Sequence, residues 1–351
     1  MKKSVGVVGA GILGRLTSFF LHQNNFDVSL FEQEDALPKK GCSLTAAGML
    51  APFCELEYSH PEIARLGMES FELWDQIVSR LGGNIFYEKN GTLVLAHTQD
   101  QRELNRLKEI VLKHSLEKNV FQEVKVKDYE PALTMESGLF FPFEGQIDPI
   151  EIFLRLNEKL LPNLKGVYFN TKVEEIIPYK IKTNGKVFSF DMVIDCRGLE
   201  AKLDNLRGVR GELFLIKASD VTLTRPVRLM HPRYPIYIAP RRDHHFLVGA
   251  TSIESTSLAS ITVRSSLELL SGIFSIHPGF SEGNILESRV GLRPCFGNHL
   301  PQIHLEKGII RANGLYRHGY LISPKVADLV SNYVMNEKIP LGYERFFKEI
   351  L

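Results

Sequence analysis

Apolar residues run continuously through Val5, Val7 and Val8 around Gly6, then recur at helical spacing as Ile12, Leu13, Leu16, Phe19 and Phe20. The first pattern predicts a buried strand and the second a helix packed on a sheet. "DVSLFEQ" predicts a second strand that ends at Glu32. Together these form a βαβ unit whose first strand is apolar throughout, as a central parallel strand is. Residues 61–82 and 99–117 read as helices, with the strand "GTLVLAH" between them. "KVFSFDMVIDCRG" predicts two strands, the second apolar until Asp195. From about 212 to 251 the texture changes to short strands joined by turns, "GELFLIKA", "PIYIAP" and "HFLVGAT", as in an antiparallel sheet. The tail returns to a strand, "GIIRANG", and a helix over about 324–336 with Ser323 as N-cap and Pro324 as its first residue. The α/β pieces at the two ends therefore flank antiparallel β, which predicts an α/β domain interrupted by an inserted one.

Between the first strand and helix lies Gly9-Ala10-Gly11-Ile12-Leu13-Gly14, a GxGxxG. The first glycine permits the tight turn, the second lets a pyrophosphate approach the backbone, and the third lets the helix pack closely on the strand. Glu32 stands at the right distance to bind ribose hydroxyls. The alternative is a glycine-rich turn with a surface glutamate, but the strand, helix and acid are all in place. NAD and FAD both use this fingerprint.

Composition narrows the class. At 351 residues with 44% hydrophobic content the chain has ample material for a core, and its net charge of +1 points neither to nucleic acid nor to an acidic membrane surface. The cysteines Cys42, Cys54, Cys196 and Cys295 lie far apart without CxxC or metal spacing, which fits unpaired thiols in a reducing compartment. Arg15 and His22 interrupt the apolar run at the N-terminus, so a signal peptide is not expected, nor is a membrane span. A cytoplasmic location is the expectation. Asp195 and Arg197 read as a structural ion pair, "RRDHH" at 241–245 as a hairpin turn rather than a metal site, and Cys54 as an inert core thiol.

Beyond the fingerprint, "CSLTAAGMLAPFCE" (42–55), "YIAPR" (237–241), "VGAT" (248–251), "GLRP" (291–294) and "GLYRHGYLISP" (314–324) follow in order. In this the chain resembles the FAD-dependent amino-acid oxidases related to D-amino-acid oxidase and sarcosine oxidase, and among them the glycine oxidases of thiamine biosynthesis. The resemblance implies α/β combined with α+β: a discontinuous Rossmann-like FAD-binding domain (1–85, 145–211 and 290–351) and an inserted substrate domain (86–144 and 212–289) on a large antiparallel or mixed sheet. It places non-covalent FAD against Gly9, Gly11, Ile12, Leu13, Gly14, Glu32, Gln33, Ser43, Ala46, Ala47, Gly48, Met49, Val173, Gly198 and Gly291. The tail residues His318, Gly319, Tyr320 and Leu321 match the segment beside the flavin ring. The positive end of the last helix would lie toward that segment, where a reduced flavin is anionic.

The implied reaction is oxidation of glycine or another small amino acid by hydride transfer from Cα to flavin N5. Oxygen would be the electron acceptor, and the imine would be hydrolysed or supplied to thiamine thiazole synthesis. Arg293 matches the carboxylate anchor and Arg317 a second arginine near the flavin; both also contact the cofactor side. Tyr237, Met49 and Ala51 match further substrate contacts. Arginine suits the task because its planar fork pairs bidentately with a carboxylate. Without the resemblance, ion pairs for both arginines and a core role for Tyr237 are the simpler readings. Pro235 departs from relatives that carry a polar side chain there, which leaves glycine, sarcosine and small D-amino acids open as substrates. A dehydrogenase using another acceptor, a flavin-containing partner of a thiazole synthase, an NAD-dependent dehydrogenase and a homo-oligomer remain alternatives or additions. No acid–base residue and no metal is expected.

Overall fold

The structure is a computed structural model that describes residues 2–38, 41–114 and 119–350. Two large sheets organise it. The first has seven strands in the spatial order 347–349, 302–306, 309–313, 192–195, 4–8, 27–31 and 166–168. The last five run parallel, while 302–306 opposes 309–313. Helices α1 (Ile12–Gln23), α2 (Pro61–Leu81) and α6 (Gly319–Asn336) pack together on it, joined in one core by Leu16, Phe20, Leu66, Val326 and Val330. Its other face meets a three-stranded antiparallel sheet (173–177, 180–183, 186–189) through Val8, Phe31, Ile181 and Val193.

The second sheet has eight strands, in the order 284–295, 207–217, 245–249, 236–240, 227–230, 92–96, 137–141 and 122–125. All neighbours are antiparallel except 227–230 beside 92–96. Strand Thr92–Ala96 is buried on both faces, so its apolar run is continuous. Its alternate residues nevertheless divide cleanly. Leu93 and Leu95 join the core under α5 (Val263–Ile276), whereas Val94 and Ala96 join the core under α3 (Gln101–His114). A further helix, α4 (Pro149–Lys159), begins behind the N-cap Asp148, whose side chain accepts from Ile150 and Glu151 N–H.

The expected α/β and antiparallel pieces are present, in a mixed α/β architecture. Three details differ. Helix α3 covers 101–114; the expected residues 115–117 lie outside the described ones. Strands Arg207–Lys217 and Asn284–Cys295 run unbroken across the expected domain limits at 211/212 and 289/290.

The third difference concerns α6, which starts at Gly319, leaving Ser323 and Pro324 inside it rather than at its cap. The Ser-Pro signal misleads because a tertiary partner repairs the damage. Pro324 has no N–H for the Tyr320 carbonyl one turn back, and the Trp74 indole of α2 donates to that carbonyl instead, at 2.9 Å. Ser70 Oγ, also on α2, accepts from the Lys325 N–H at 3.3 Å. The early start brings the helix N-terminus to His318. Among the described residues no helix is long and apolar enough to cross a membrane.

Trp74→Phe removes the donor and leaves a buried carbonyl unpaired, an effect of about 2–3 kcal/mol. Urea unfolding should report a loss of that size, and an unchanged midpoint would show that the indole bond does not hold the start of α6.

Candidate active site

The glycine turn is built by close contact. Gly9 has φ +94°, and a Cβ on Gly14 would stand 1.9 Å from the Gly9 carbonyl oxygen, so neither position tolerates a side chain. Behind the turn Arg15 is fully buried and donates to the carbonyls of Ala10 and Ala36, each at 2.7 Å, with its guanidinium 4.6 Å from the Phe153 ring. The sequence reading treated Arg15 only as a break in the apolar run; it is the brace of the turn. Helix α1 has Gly11 as N-cap and no side-chain cap, and its first turn holds no acid. Ser43 Oγ accepts from Ile12 N–H at 3.0 Å. The positive end of α1 is therefore open to a negative ligand.

Two cavities meet at this helix end and share walls at Gly11, Cys42, Ser43, Cys196, Gly198 and Pro294. One, of about 1210 Å³, contains Gly9, Glu32, Gln33 and Val173. The other, of about 1130 Å³, is lined by Ile12, Leu13, Ala46, Ala47, Gly48, Met49, Gly291, Gly319 and Tyr320, and by Tyr237, Arg293 and Arg317. Most of the expected residues are thus brought together along one elongated space. Four are not on its walls: Gly14 packs the turn, Leu321 packs on Gly67 of α2, Ala51 lies in the core with Phe53 and Leu56, and His318 is buried behind Arg317. Glu32 is buried at the strand end and accepts the Ala10 N–H at 2.7 Å. Asp195 pairs with Arg197 at 2.8 Å and with Arg311 at 2.9 Å, and Arg197 also lines the first cavity.

Strands 207–217, 236–240 and 284–295, with Ala250 just after strand 245–249, supply the far wall of the second cavity. Arg293 lies directly over Gly211 of the neighbouring strand, where a Cβ would come within 2.3 Å of its Cζ. Its one hydrogen bond is to the Thr251 carbonyl, at 3.0 Å, and no acid pairs with it among the described residues. Burial and the nearby Arg317 both lower its pKa. Thr251 is held in turn: its hydroxyl donates to Glu212 at 3.0 Å, and Glu212 is itself paired with buried Arg210 at 2.6 Å. Gly211, Thr251 and Glu212 carry no motif that sequence reasoning singled out for the site, apart from the threonine of "VGAT".

Arg317 is not free. Its Nη2 pairs with Glu55 at 3.0 Å. Burial alone would raise the Glu55 carboxyl, but Arg317, Arg228 and His318 together hold it well below the usual carboxylate range. His318 Nδ1 lies 3.8 Å from Glu55. Burial pushes the His318 pKa from 6.5 down to about 4, with Glu55 opposing and Arg317 and Arg293 adding to the fall.

Residues 4–333 match the family described as FAD dependent oxidoreductase, DAO. The chain belongs to this family. It is 34% identical over 336 residues to the thiamine biosynthesis oxidoreductase ThiO of Rhizobium etli, spanning 95% of this chain and 96% of that one. Glycine oxidase of Geobacillus kaustophilus is 25% identical over 355 residues, spanning 94% of this chain and 92% of that one. The crystal structure of glycine oxidase from Geobacillus kaustophilus superposes with a TM-score of 0.83 at 23% identity, covering 99% and 98% of the two chains. This oxidoreductase is thus ThiO-like and glycine oxidase-like, and FAD is its cofactor. The site suits that group: an elongated cavity with an acid-free helix N-terminus at its waist matches a long dinucleotide with a pyrophosphate in the middle.

Gly211→Ala should displace the Arg293 guanidinium while costing little stability, because a side-chain tip can move. A rise in KM of ~10-fold or more for an amino-acid substrate is expected, and unchanged steady-state kinetics would contradict this placement of Arg293. A second measurement concerns pH. The unfolded chain protonates His318 first, near pH 6.5, and the folded protein only near pH 4. Stability is therefore full above pH 6.5 and falls as pH drops toward 4, by at most about 1.4 kcal/mol per pH unit from this group. Urea midpoints across that window should fall less steeply for His318→Gln; parallel curves would remove the histidine from the acid response.

Proposed function

We propose that this oxidoreductase oxidises glycine or another small amino acid at Cα, yielding the imino acid, which is hydrolysed to an oxo acid and ammonia or supplied to thiamine thiazole formation. The observation that carries the reading is Arg293, a guanidinium on the wall of a largely apolar cavity with no acid paired to it among the described residues. A buried charge of this kind calls for an external anion, and a carboxylate fits its planar fork. Molecular oxygen is the proposed final electron acceptor. The names of the relatives in thiamine biosynthesis and glycine oxidation support the substrate class.

In this reading Glu32, Gln33 and Val173 hold the adenosine half of FAD, and the N-terminus of α1 faces the pyrophosphate. The loop Ala46–Met49 and the start of α6 at Gly319–Tyr320 flank the ring. The flavin, when bound, supplies the acceptor for the hydrogen and two electrons leaving Cα. Arg293 pairs with the substrate carboxylate and fixes the orientation of the Cα–H bond. Tyr237, whose hydroxyl burial pushes further from ionisation, stays a neutral donor beside that carboxylate. The apolar wall of Met49, Ala250 and Leu213 excludes water and favours the neutral amine. Orientation and desolvation carry the rate in this scheme, without a protein base.

The test is anaerobic: glycine, sarcosine and small D-amino acids are mixed with the holoenzyme and bleaching of the flavin absorbance is followed. Reduction by at least one of them is expected, and Arg293→Ala should retain FAD while raising KM ~100-fold or more. A holoenzyme that none of these reduces, or a variant with unaltered KM, refutes the assignment.

A further inference from the structure

The substrate end of the cavity holds more charge than one carboxylate anchor requires. Glu55 lines the cavity just past the "AAGML" loop and pairs with Arg317. Behind it, Arg228 is 2% exposed and pairs with Glu57 at 3.3 Å. Glu57 is also met by Arg106 of α3 at 3.2 Å, but Arg106 is half exposed and its charge is screened by solvent. Arg317 and Arg228 both lie beside the Tyr58 ring, at 5.5 and 5.7 Å. His318 is neutral near pH 7. At this end of the cavity Arg317 has Glu55 and Arg228 has Glu57, whereas among the described residues Arg293 pairs with no acid.

We propose that Glu55 restricts this site to amino acids with a single carboxylate, by occupying Arg317 and so withdrawing it from the substrate. The proposal rests on the reading of Arg293 as the carboxylate anchor. A substrate with one carboxylate and a neutral amine gives Arg293 its anionic partner. A second carboxylate would meet a guanidinium already neutralised and would face Glu55 itself, which leaves a negative charge uncompensated in an enclosed space. Arg317 has the donors to bind such a group: its Nε is buried without a hydrogen-bond partner, and only Nη2 serves Glu55. What keeps it from a second acid is the charge of Glu55 rather than a lack of N–H groups. Glu55 thus acts through Arg317 as a positioning residue for specificity.

The holoenzyme can be titrated with acetate and malonate, unreactive mono- and dicarboxylates, by calorimetry and by perturbation of the flavin absorbance. The wild type should bind acetate ~10-fold or more tightly than malonate, the scale of a like-charge clash. Glu55→Gln keeps the shape, removes the charge and should move the malonate-to-acetate affinity ratio ~10-fold or more toward malonate. Glu55→Asp keeps the charge and should retain the wild-type preference. Equal wild-type affinities overturn the proposal, as does an unmoved ratio in a Glu55→Gln protein that retains FAD. If that variant loses FAD, the wild-type ratio decides alone. Acetate binding that survives Arg293→Ala would strike at the anchor reading itself, and the proposal would fall with it.

Discussion

Burying a guanidinium group is costly unless acceptors or a negative partner surround it, and the substrate side of this molecule is arranged around that constraint. Arg210 has Glu212, Arg228 has Glu57, Arg241 has Asp148 and Arg317 has Glu55. All but the Arg210–Glu212 pair, which lies within one strand, also tie one chain segment to another. Arg241, for example, donates from the eight-stranded sheet to the carbonyls of Ala47 and Ile147, which binds that sheet to the loop on the cavity wall. Arg293 stands apart because, among the described residues, it has only the Thr251 carbonyl. The exception among the paired groups is what gives the cavity its chemical character.

The same economy appears at the other end of the cavity, with the sign carried by backbone dipoles. Helix α1 has a glycine as its N-cap, meets the Ser43 hydroxyl at Ile12 N–H and has no acid in its first turn. Helix α6 begins at Gly319, a turn earlier than its Ser-Pro pair suggests, because α2 supplies Trp74 and Ser70 to the backbone groups disturbed by Pro324. Both helices present N-terminal residues to the same space, Gly11 to Leu13 from one and Gly319 and Tyr320 from the other. Tyr320 closes the arrangement by donating to the Ser43 carbonyl at 2.9 Å. An elongated anionic cofactor fits such an enclosure.

How legible each part was depends on the range of the interaction. The turn of Gly9, Gly11 and Gly14 is a local steric problem with few solutions, so its reading survives into three dimensions. The strand in "GTLVLAH" is legible in the sequence, but which core each of its residues joins became visible only with α3 and α5 in place. The late motifs pointed to Arg293 and Arg317 through resemblance alone. Glu55 lies 262 positions from Arg317, and no spacing rule links them. Gly211 looked like any other glycine in a strand until Arg293 of the next strand was found lying over it.

By itself the sequence determined the βαβ start, the order of α/β and antiparallel pieces, the dinucleotide turn and the residue types available for holding an acid. These follow from periodicity and local sterics, which neighbouring residues decide among themselves. Tertiary structure alone decided which arginines are neutralised, where α6 begins and which strand runs past the expected domain limits. Those outcomes depend on burial and on partners brought from distant segments, and the free energy of a buried charge is set by what surrounds it rather than by what precedes it in the chain.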